Sequence, residues 1–103
     1  MRRAFVEVNG CRAGSLEEHS RNHYVFRYFN DYTGPPVSLS MPLSKHEYIF
    51  ERFPPFFEGL LPEGEMLEGL LGQCKIDRFD LFSQLIAIGA ETVGAVTVME
   101  AAT

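Results

Sequence analysis

Residues 4–16 have the sequence AFVEVNGCRAGSL, and this stretch sets the fold of the first third of the chain. A short β-prone run ends at Asn9-Gly10. This dipeptide is the strongest two-residue hairpin signal, because both central positions of a type I′ turn need positive φ. A return strand is expected at 11–16, where Gly14 indicates a bulge or a close backbone contact. The sequence therefore predicts an antiparallel pair of strands.

Two more strands are expected downstream. Residues 17–22 are polar and predict a turn, whereas 23–30 predict the clearest strand, with apolar bulk on both faces. Such a strand is expected to be central or covered on both sides. Residues 37–43 alternate strictly and predict a half-buried edge strand, and the polar stretch 44–52 predicts a loop. The apolar side of the 37–43 strand would consist of Val37, Leu39, Met41 and Leu43.

The second half of the chain has the spacing of helices. Prolines open a first helix at 54–55, and Pro62 interrupts it. A second helix is expected to end at Gly72, and a third, capped by Asp77 or Asp80, to end at Gly89. The expected apolar faces are, in chain order, Phe56, Phe57, Leu60 and Leu61; Met66, Leu67, Leu70 and Leu71; and Phe79, Phe82, Leu85, Ile86 and Ile88.

A final strand at 93–98 and a frayed end at 99–103 complete the expected order of elements. Strands followed by helices indicate an α+β fold. We expect a small antiparallel sheet, or a partly closed barrel, with about three helices on one side. With 103 residues, the chain has room for one domain, which would span 1–103.

The charge balance limits the classes of partner. Nine basic and fourteen acidic residues give a net charge of −5, and the basic residues are scattered. Direct nucleic-acid binding needs a clustered Lys/Arg surface, so it is not expected, and an acidic domain is better suited to a basic protein surface. No apolar run approaches the ~20 residues of a membrane span, and nothing indicates export. We therefore expect a cytoplasmic protein without membrane contact, whose Cys11 and Cys74 are reduced and buried or half-buried.

The sequence contains no motif that carries catalysis. His19 and His23 lie four apart without the further ligands of a metal site, and no nucleophile elbow or phosphate loop is present. Helix capping and dipole effects account for the acidic pairs at 63/65 and 77/80. We therefore expect no enzyme, no metal and no cofactor. The Phe-rich stretch is expected to belong to the core, with a partner surface as the alternative; it comprises Phe50, Phe53, Phe56 and Phe57.

Four stretches together resemble a known family. They are VSLSMPL at 37–43, FFEGLLPEG at 56–64, FDLFSQLIAIG at 79–89 and VGAVT at 93–97. In this order they resemble the N-terminal domain of HipA-type toxin kinases, and the likeness extends from about Phe5 to Val98. Because the kinase body does not follow, the chain also resembles the HipS antitoxins of tripartite HipB–HipS–HipT systems.

The resemblance implies a function and a site. The implied role is to bind a HipT-type Ser/Thr kinase on its small lobe and inhibit it, with a HipB-like helix-turn-helix protein bringing DNA contact to a ternary complex. The segment pointed at the kinase cleft would be the turn at 61–66, whose exposed residues are Pro62, Glu63, Gly64, Glu65 and Met66. Its supports and candidate interface would be Phe56, Phe57, Leu60, Leu61 and Leu67. The alternatives are a simple connector and, for the whole chain, a non-inhibitory structural module.

Overall fold

One antiparallel sheet carries the fold in the computed structural model, which describes residues 1–92 and 94–101. Within these residues the sheet has five strands in the order β4-β3-β2-β1-β5, accompanied by three α-helices. The elements are β1 (Arg2–Val8), β2 (Cys11–Ser20), β3 (His23–Tyr28), β4 (Glu47–Phe50), α1 (Pro55–Glu58), α2 (Gly64–Cys74), α3 (Leu81–Ile88), a 3₁₀ turn (Gly89–Glu91) and β5 (Val96–Glu100). The α+β prediction is confirmed. The barrel alternative is wrong, because β4 and β5 are the two edges of an open sheet.

The first hairpin forms as the sequence predicts. Asn9 and Gly10 both have positive φ, 52° and 83°, which is the requirement of the tight turn. The register between β1 and β2 shifts between Val6 and Glu7, which leaves Ala13 as the bulged residue of β2, next to Gly14. A Cβ on Gly14 would lie 2.3 Å from the backbone oxygen of Arg27, so the strands approach too closely there for any side chain.

The core lies between one face of the sheet and the helices. Aliphatic side chains of β1 and β2 meet the aromatic side chains of β3, and Phe57 of α1 contacts Phe26 with ring centroids 5.9 Å apart. On the opposite face of β3, Val25 is buried while His23 and Arg27 are exposed. β3 lies between β2 and β4, as its two apolar faces predict. The fully buried side chains include Val6, Leu16, Phe26, Met41, Phe57, Phe82 and Leu85.

The strand predicted at 37–43 is wrong. Val37 and Met41 are buried, but Leu39 is 94% exposed, and a turn joins the Ser38 oxygen to the Met41 N–H at 3.0 Å. The backbone N–H of Ser40 also donates to the Ser38 hydroxyl oxygen, which favours the turn over an extended chain. The alternating apolar residues therefore do not form one side of a strand. Val37 and Met41 are buried at the two ends of a turn, and Leu39 is exposed between them.

Other strand limits also differ from the sequence prediction. The polar stretch 17–22 is not a turn throughout, since β2 continues to Ser20 with its carboxylates in ion pairs. The predicted loop 44–52 contains β4, which pairs with β3. The end predicted to fray contains the last residues of β5, followed by Ala101, which is buried and donates its N–H to Arg3. Val93, in the predicted final strand, and residues 102–103 lie outside the described residues.

Two details of the helical half and the burial of the two cysteines need correction. α2 does not stop at Gly72 but continues to Cys74, where Lys75 takes the left-handed conformation that ends it. Asp80 caps α3 as predicted, yet Phe79 precedes the helix and is 80% exposed instead of belonging to the core. The thiols of Cys11 and Cys74 are both exposed, so the expectation of buried cysteines is wrong.

Candidate protein-binding surface

The segment 61–66 connects α1 to α2 and begins the latter. Backbone hydrogen bonds from Leu60 to Phe57 and from Leu61 to Glu58 continue the turn of α1. Glu63 is extended and precedes α2, whose first residue, Gly64, has φ +61°. Only 61–63 is therefore connector, and the last three residues of the predicted loop form the first turn of a helix. Pro62 is half-buried, and the four residues that follow it are exposed.

The residues predicted to support this segment differ in their surroundings. Phe57 is completely buried, and its ring lies edge-on to Phe56 with centroids 5.2 Å apart. Leu60 and Leu61 are half-buried and pack against the core. These contacts fix the start of the connector on the sheet. Leu67 is half-buried in α2 and lies outside the cluster that forms the core.

α2 lies on the molecule without entering its core. None of its eleven residues is buried, and none packs against the core cluster. Met66, with a side chain 77% exposed, is the most exposed apolar residue of the helix. An amphipathic helix normally buries one stripe of side chains, whereas Leu67, Leu70 and Leu71 of α2 are only half-buried, so the helix has apolar surface available for another contact.

A groove of about 570 Å³ runs between α2, the connector and the end of α3. Its walls are mainly apolar, and Glu91 is its single ionisable lining residue among those described. The residues that line it are Leu60, Leu61, Pro62, Met66, Gly69, Leu70, Gln73, Ile88, Glu91 and Thr92. Sequence reasoning named four of these ten residues as site residues. It missed the groove because its walls come from three separate parts of the chain.

A charged network fixes the start of α3 against the sheet. Arg2 of β1 donates to Glu18 at 2.7 Å and to Asp80 at 2.8 Å, and its guanidinium lies over the ring of Phe82. The hydrogen bond from Arg2 to Glu18 is the largest cause that raises the pKa of the Arg2 guanidinium. Burial, together with the hydrogen bond to Glu18, raises the pKa of Tyr24 to about 12.

The carboxylate of Asp80 belongs to the same network. Burial opposes its ionisation, but hydrogen bonds from Arg2 and from the hydroxyl and N–H of Ser83 outweigh burial and lower its pKa. On the surface of α2, the hydrogen bond from Arg78 lowers the pKa of Glu68 across a 2.7 Å ion pair. Both carboxylates are therefore ionised and held in place at neutral pH.

The described residues offer little material for catalysis or metal binding. His19 and His23 stack with ring centroids 4.9 Å apart, and His19 lies 2.9 Å from Glu17. In residues 1–92 and 94–101, no three His, Cys, Asp or Glu side chains come together to hold a metal ion. No helix in that part of the chain is long and apolar enough to cross a membrane.

The fold and the groove together define a small α+β module with an apolar surface open to protein contact. Residues 4–99 match the family model described as the HipA N-terminal domain, and the chain belongs to that family. A protein of Haemophilus influenzae (strain Rd), named only as uncharacterized, is 34% identical over 95 residues, which are 92% of this chain and 89% of the relative. A solved structure of the "N-terminal domain of HipA toxin" matches with a TM-score of 0.78 and 28% identity, covering all of this chain and 95% of that one.

Proposed function

We propose that this chain is a HipS-type antitoxin that binds a HipT-type Ser/Thr toxin kinase in the cytoplasm and inhibits it. The chain itself is not an enzyme and makes no direct contact with nucleic acid. A HipB-like helix-turn-helix protein completes a ternary complex and supplies the DNA contact. The proposal rests on one observation: the described chain has the fold of the N-terminal domain of the HipA toxin along its full length.

The size of the Haemophilus relative supports a separate small protein. This chain covers 89% of that relative, so a protein little longer than one such domain occurs in Haemophilus influenzae. A HipT-type kinase lacks its own N-terminal domain. We propose that this chain supplies that domain as a separate protein and docks on the kinase at the corresponding position. We place that contact on the small lobe of the kinase.

The geometry of 61–66 suits an inhibitory contact. Glu63 and Glu65 are exposed carboxylates beside the exposed thioether of Met66, and α1 anchors the preceding connector in the core. A carboxylate directed into a nucleotide-binding cleft repels phosphate groups of the same charge, and such repulsion strengthens where water is excluded. Inhibition by this chain therefore combines occlusion by Met66 with repulsion by Glu65.

A double substitution tests this mechanism. Glu65→Ala with Met66→Ala removes both exposed groups while retaining the helix, since alanine is the best helix former. At saturating concentrations of this chain we expect inhibition of the kinase to weaken at least ~10-fold, whereas affinity falls by a smaller factor, because the lost groups act mainly on the cleft and most of the contact surface is retained. Autophosphorylation of the purified kinase, isothermal titration calorimetry and rescue of growth on co-expression measure these effects.

The matched control is Glu51→Ala with Leu39→Ala. It also removes one exposed carboxylate and one exposed apolar side chain, but at positions that belong neither to the 61–66 segment nor to the groove lining. If both double variants inhibit like the wild type, the cleft mechanism is wrong. If the wild-type chain binds the kinase and leaves its activity unchanged, the chain is a structural module. That second function is favoured by the solved neighbour, which is named as a domain of the toxin itself.

A further inference from the structure

The groove beside α2 carries an inference that rests on the proposed function and extends it. We propose that this groove binds a short amphipathic helix of the kinase partner, with an apolar side chain seated at Gly69 and a basic side chain paired with Glu91. The groove thus anchors the kinase, and the exposed first turn of α2 acts beside that anchor.

The shape of the groove favours a helical segment. Met66, Gly69, Leu70 and Gln73 follow the spacing i, i+3, i+4, i+7 and so form one face of α2. An eleven-residue helix is about 16 Å long, which allows roughly three turns of a partner helix to lie along it. A Cβ on Gly69 would meet nothing within 4 Å, so at this lining position there is open space that an incoming side chain can fill.

The charge of the groove selects the chemistry of the occupant. Glu91 lines it, Glu63 and Glu65 lie next to lining residues in sequence, and no Lys or Arg lines it within the described chain. Because the carboxylates are exposed and the walls are apolar, a segment with apolar side chains and a Lys or Arg complements both features. A second copy of this chain is disfavoured, since a two-fold contact would place the same carboxylates against each other.

Continuity with the proposed inhibitory segment points to the kinase as the source of the helix. Leu61, Pro62 and Met66 line the groove and also belong to the 61–66 segment. A protein that contacts that segment therefore lies directly beside the groove. The core supports the same view, because no residue of α2 belongs to it, Met66 is exposed and Leu70 is only half-buried.

A matched pair of glycine substitutions tests the groove. Gly69→Leu fills the gap, whereas Gly72→Leu adds the same side chain to the same helix at a position that does not line the groove; a Cβ at either glycine meets open space. We expect Gly69→Leu to weaken binding to the purified HipT-type kinase at least tenfold, and Gly72→Leu to change it less than twofold. Biolayer interferometry measures affinity, and circular dichroism confirms that both variants fold.

Charge reversal tests the basic residue of the occupant. Glu91→Lys is expected to weaken binding at least fivefold, and Glu51→Lys, with the same change in net charge outside the groove, less than twofold. A photo-crosslinking residue at position 70 identifies the occupant by mass spectrometry. The expected crosslink is to a helix of the kinase that contains apolar residues and a Lys or Arg.

The outcomes separate this proposal from the function on which it rests. If the wild-type chain fails to bind the kinase, the proposed function is wrong and the groove proposal falls with it. If the wild-type chain binds and inhibits but Gly69→Leu and Glu91→Lys bind equally well, the groove proposal alone is wrong. Crosslinks from position 70 to a second copy of this chain, or to the HipB-like partner, also overturn it.

Discussion

Asp80 shows how one side chain joins the two halves of this fold. Its carboxylate accepts the backbone N–H of Ser83 and so caps α3, and it also pairs with Arg2 at the opposite end of the sequence. The capping role follows from sequence, because Asp commonly precedes a helix. The ion pair requires β1 to lie beside α3, and no local pattern contains that information.

Asp80→Asn separates the two roles, since Asn also caps helices well but cannot form the ion pair. The pKa of Asp80 is lowered in the folded chain, so its ionised form stabilises the fold above the ordinary Asp pKa of about 3.9, and this stabilisation is lost as pH falls through the lowered value. We expect the variant to lose about 1 kcal/mol at pH 7, a value reduced for partial exposure, and less at about pH 2, because the ionised form is lost as pH falls.

Urea unfolding at the two pH values measures this difference. Asp77→Asn is the control, because Asp77 is exposed and its hydrogen bond from the N–H of Phe79 can be kept by an amide oxygen. An equal loss for both variants at pH 7, or a loss for Asp80→Asn that persists at low pH, would show that the Arg2 pair does not stabilise the fold.

Among the three α-helices described, α2 is the one with no buried residue. It contains two interior glycines and no buried residue, whereas β1 and β2 contribute fully buried side chains to the core. Backbone amides of α2 are therefore expected to exchange with solvent at least ~10-fold faster than those of the central strands in the free chain. The same amides should become protected when the kinase covers the groove, as measured by hydrogen–deuterium exchange.

Gly72→Ala provides an internal check on that prediction. Alanine stabilises a helix interior by about 0.5–1 kcal/mol relative to glycine, so exchange in α2 should slow about two- to fivefold. Gly14→Ala should have the opposite sign and lower global stability, because its Cβ would collide with the Arg27 backbone oxygen. If Gly72→Ala leaves exchange in α2 unchanged, local fraying does not control it.

Elements set by local chemistry could be predicted from the sequence, whereas elements set by contacts between distant residues could not. The Asn9-Gly10 hairpin and the cap at Asp80 follow from local chemistry, and both are confirmed. The 37–43 strand failed because the hydroxyl of Tyr28 reorganises that segment, accepting the N–H of Val37 and donating to the oxygen of Met41. β4 was missed because it forms by pairing with β3 rather than by its own alternation.

One part of the candidate site, the exposed segment 63–66, could be predicted from the sequence, and the other part, the groove, could not. The exposure of 63–66 could be predicted from Pro62, Gly64 and the acidic residues between two apolar runs. The groove could not, because Ile88 and Glu91 reach it only after α3 packs on the sheet. Helical spacing predicted an apolar face on α2 without showing that this face would stay outside the core, with Met66 exposed and Leu70 half-buried.

The net charge of −5 affects how this molecule associates with a partner, because part of the acidic excess lies at the proposed binding surface. Of the paired acidic residues, Glu17 and Glu18 join neighbouring strands of the sheet, and Asp80 joins the start of α3 to β1. Those of the connector and the groove are exposed. The acidic excess therefore includes a group of carboxylates beside the surface that we assign to the kinase.

This distribution predicts that association with the kinase is electrostatically steered. Raising the salt concentration from about 50 to 500 mM should slow association by roughly tenfold while changing dissociation less, because salt screens exposed charges at long range and apolar contacts in the groove persist. Stopped-flow or interferometry measurements of both rate constants provide the test.

Glu63→Gln with Glu91→Gln should flatten the salt dependence of the association rate. The control, Glu51→Gln with Glu100→Gln, removes the same amount of charge outside the groove and should preserve most of that salt dependence. An association rate independent of salt, or equal effects of the two double variants, would show that the acidic rim of the groove does not guide the kinase.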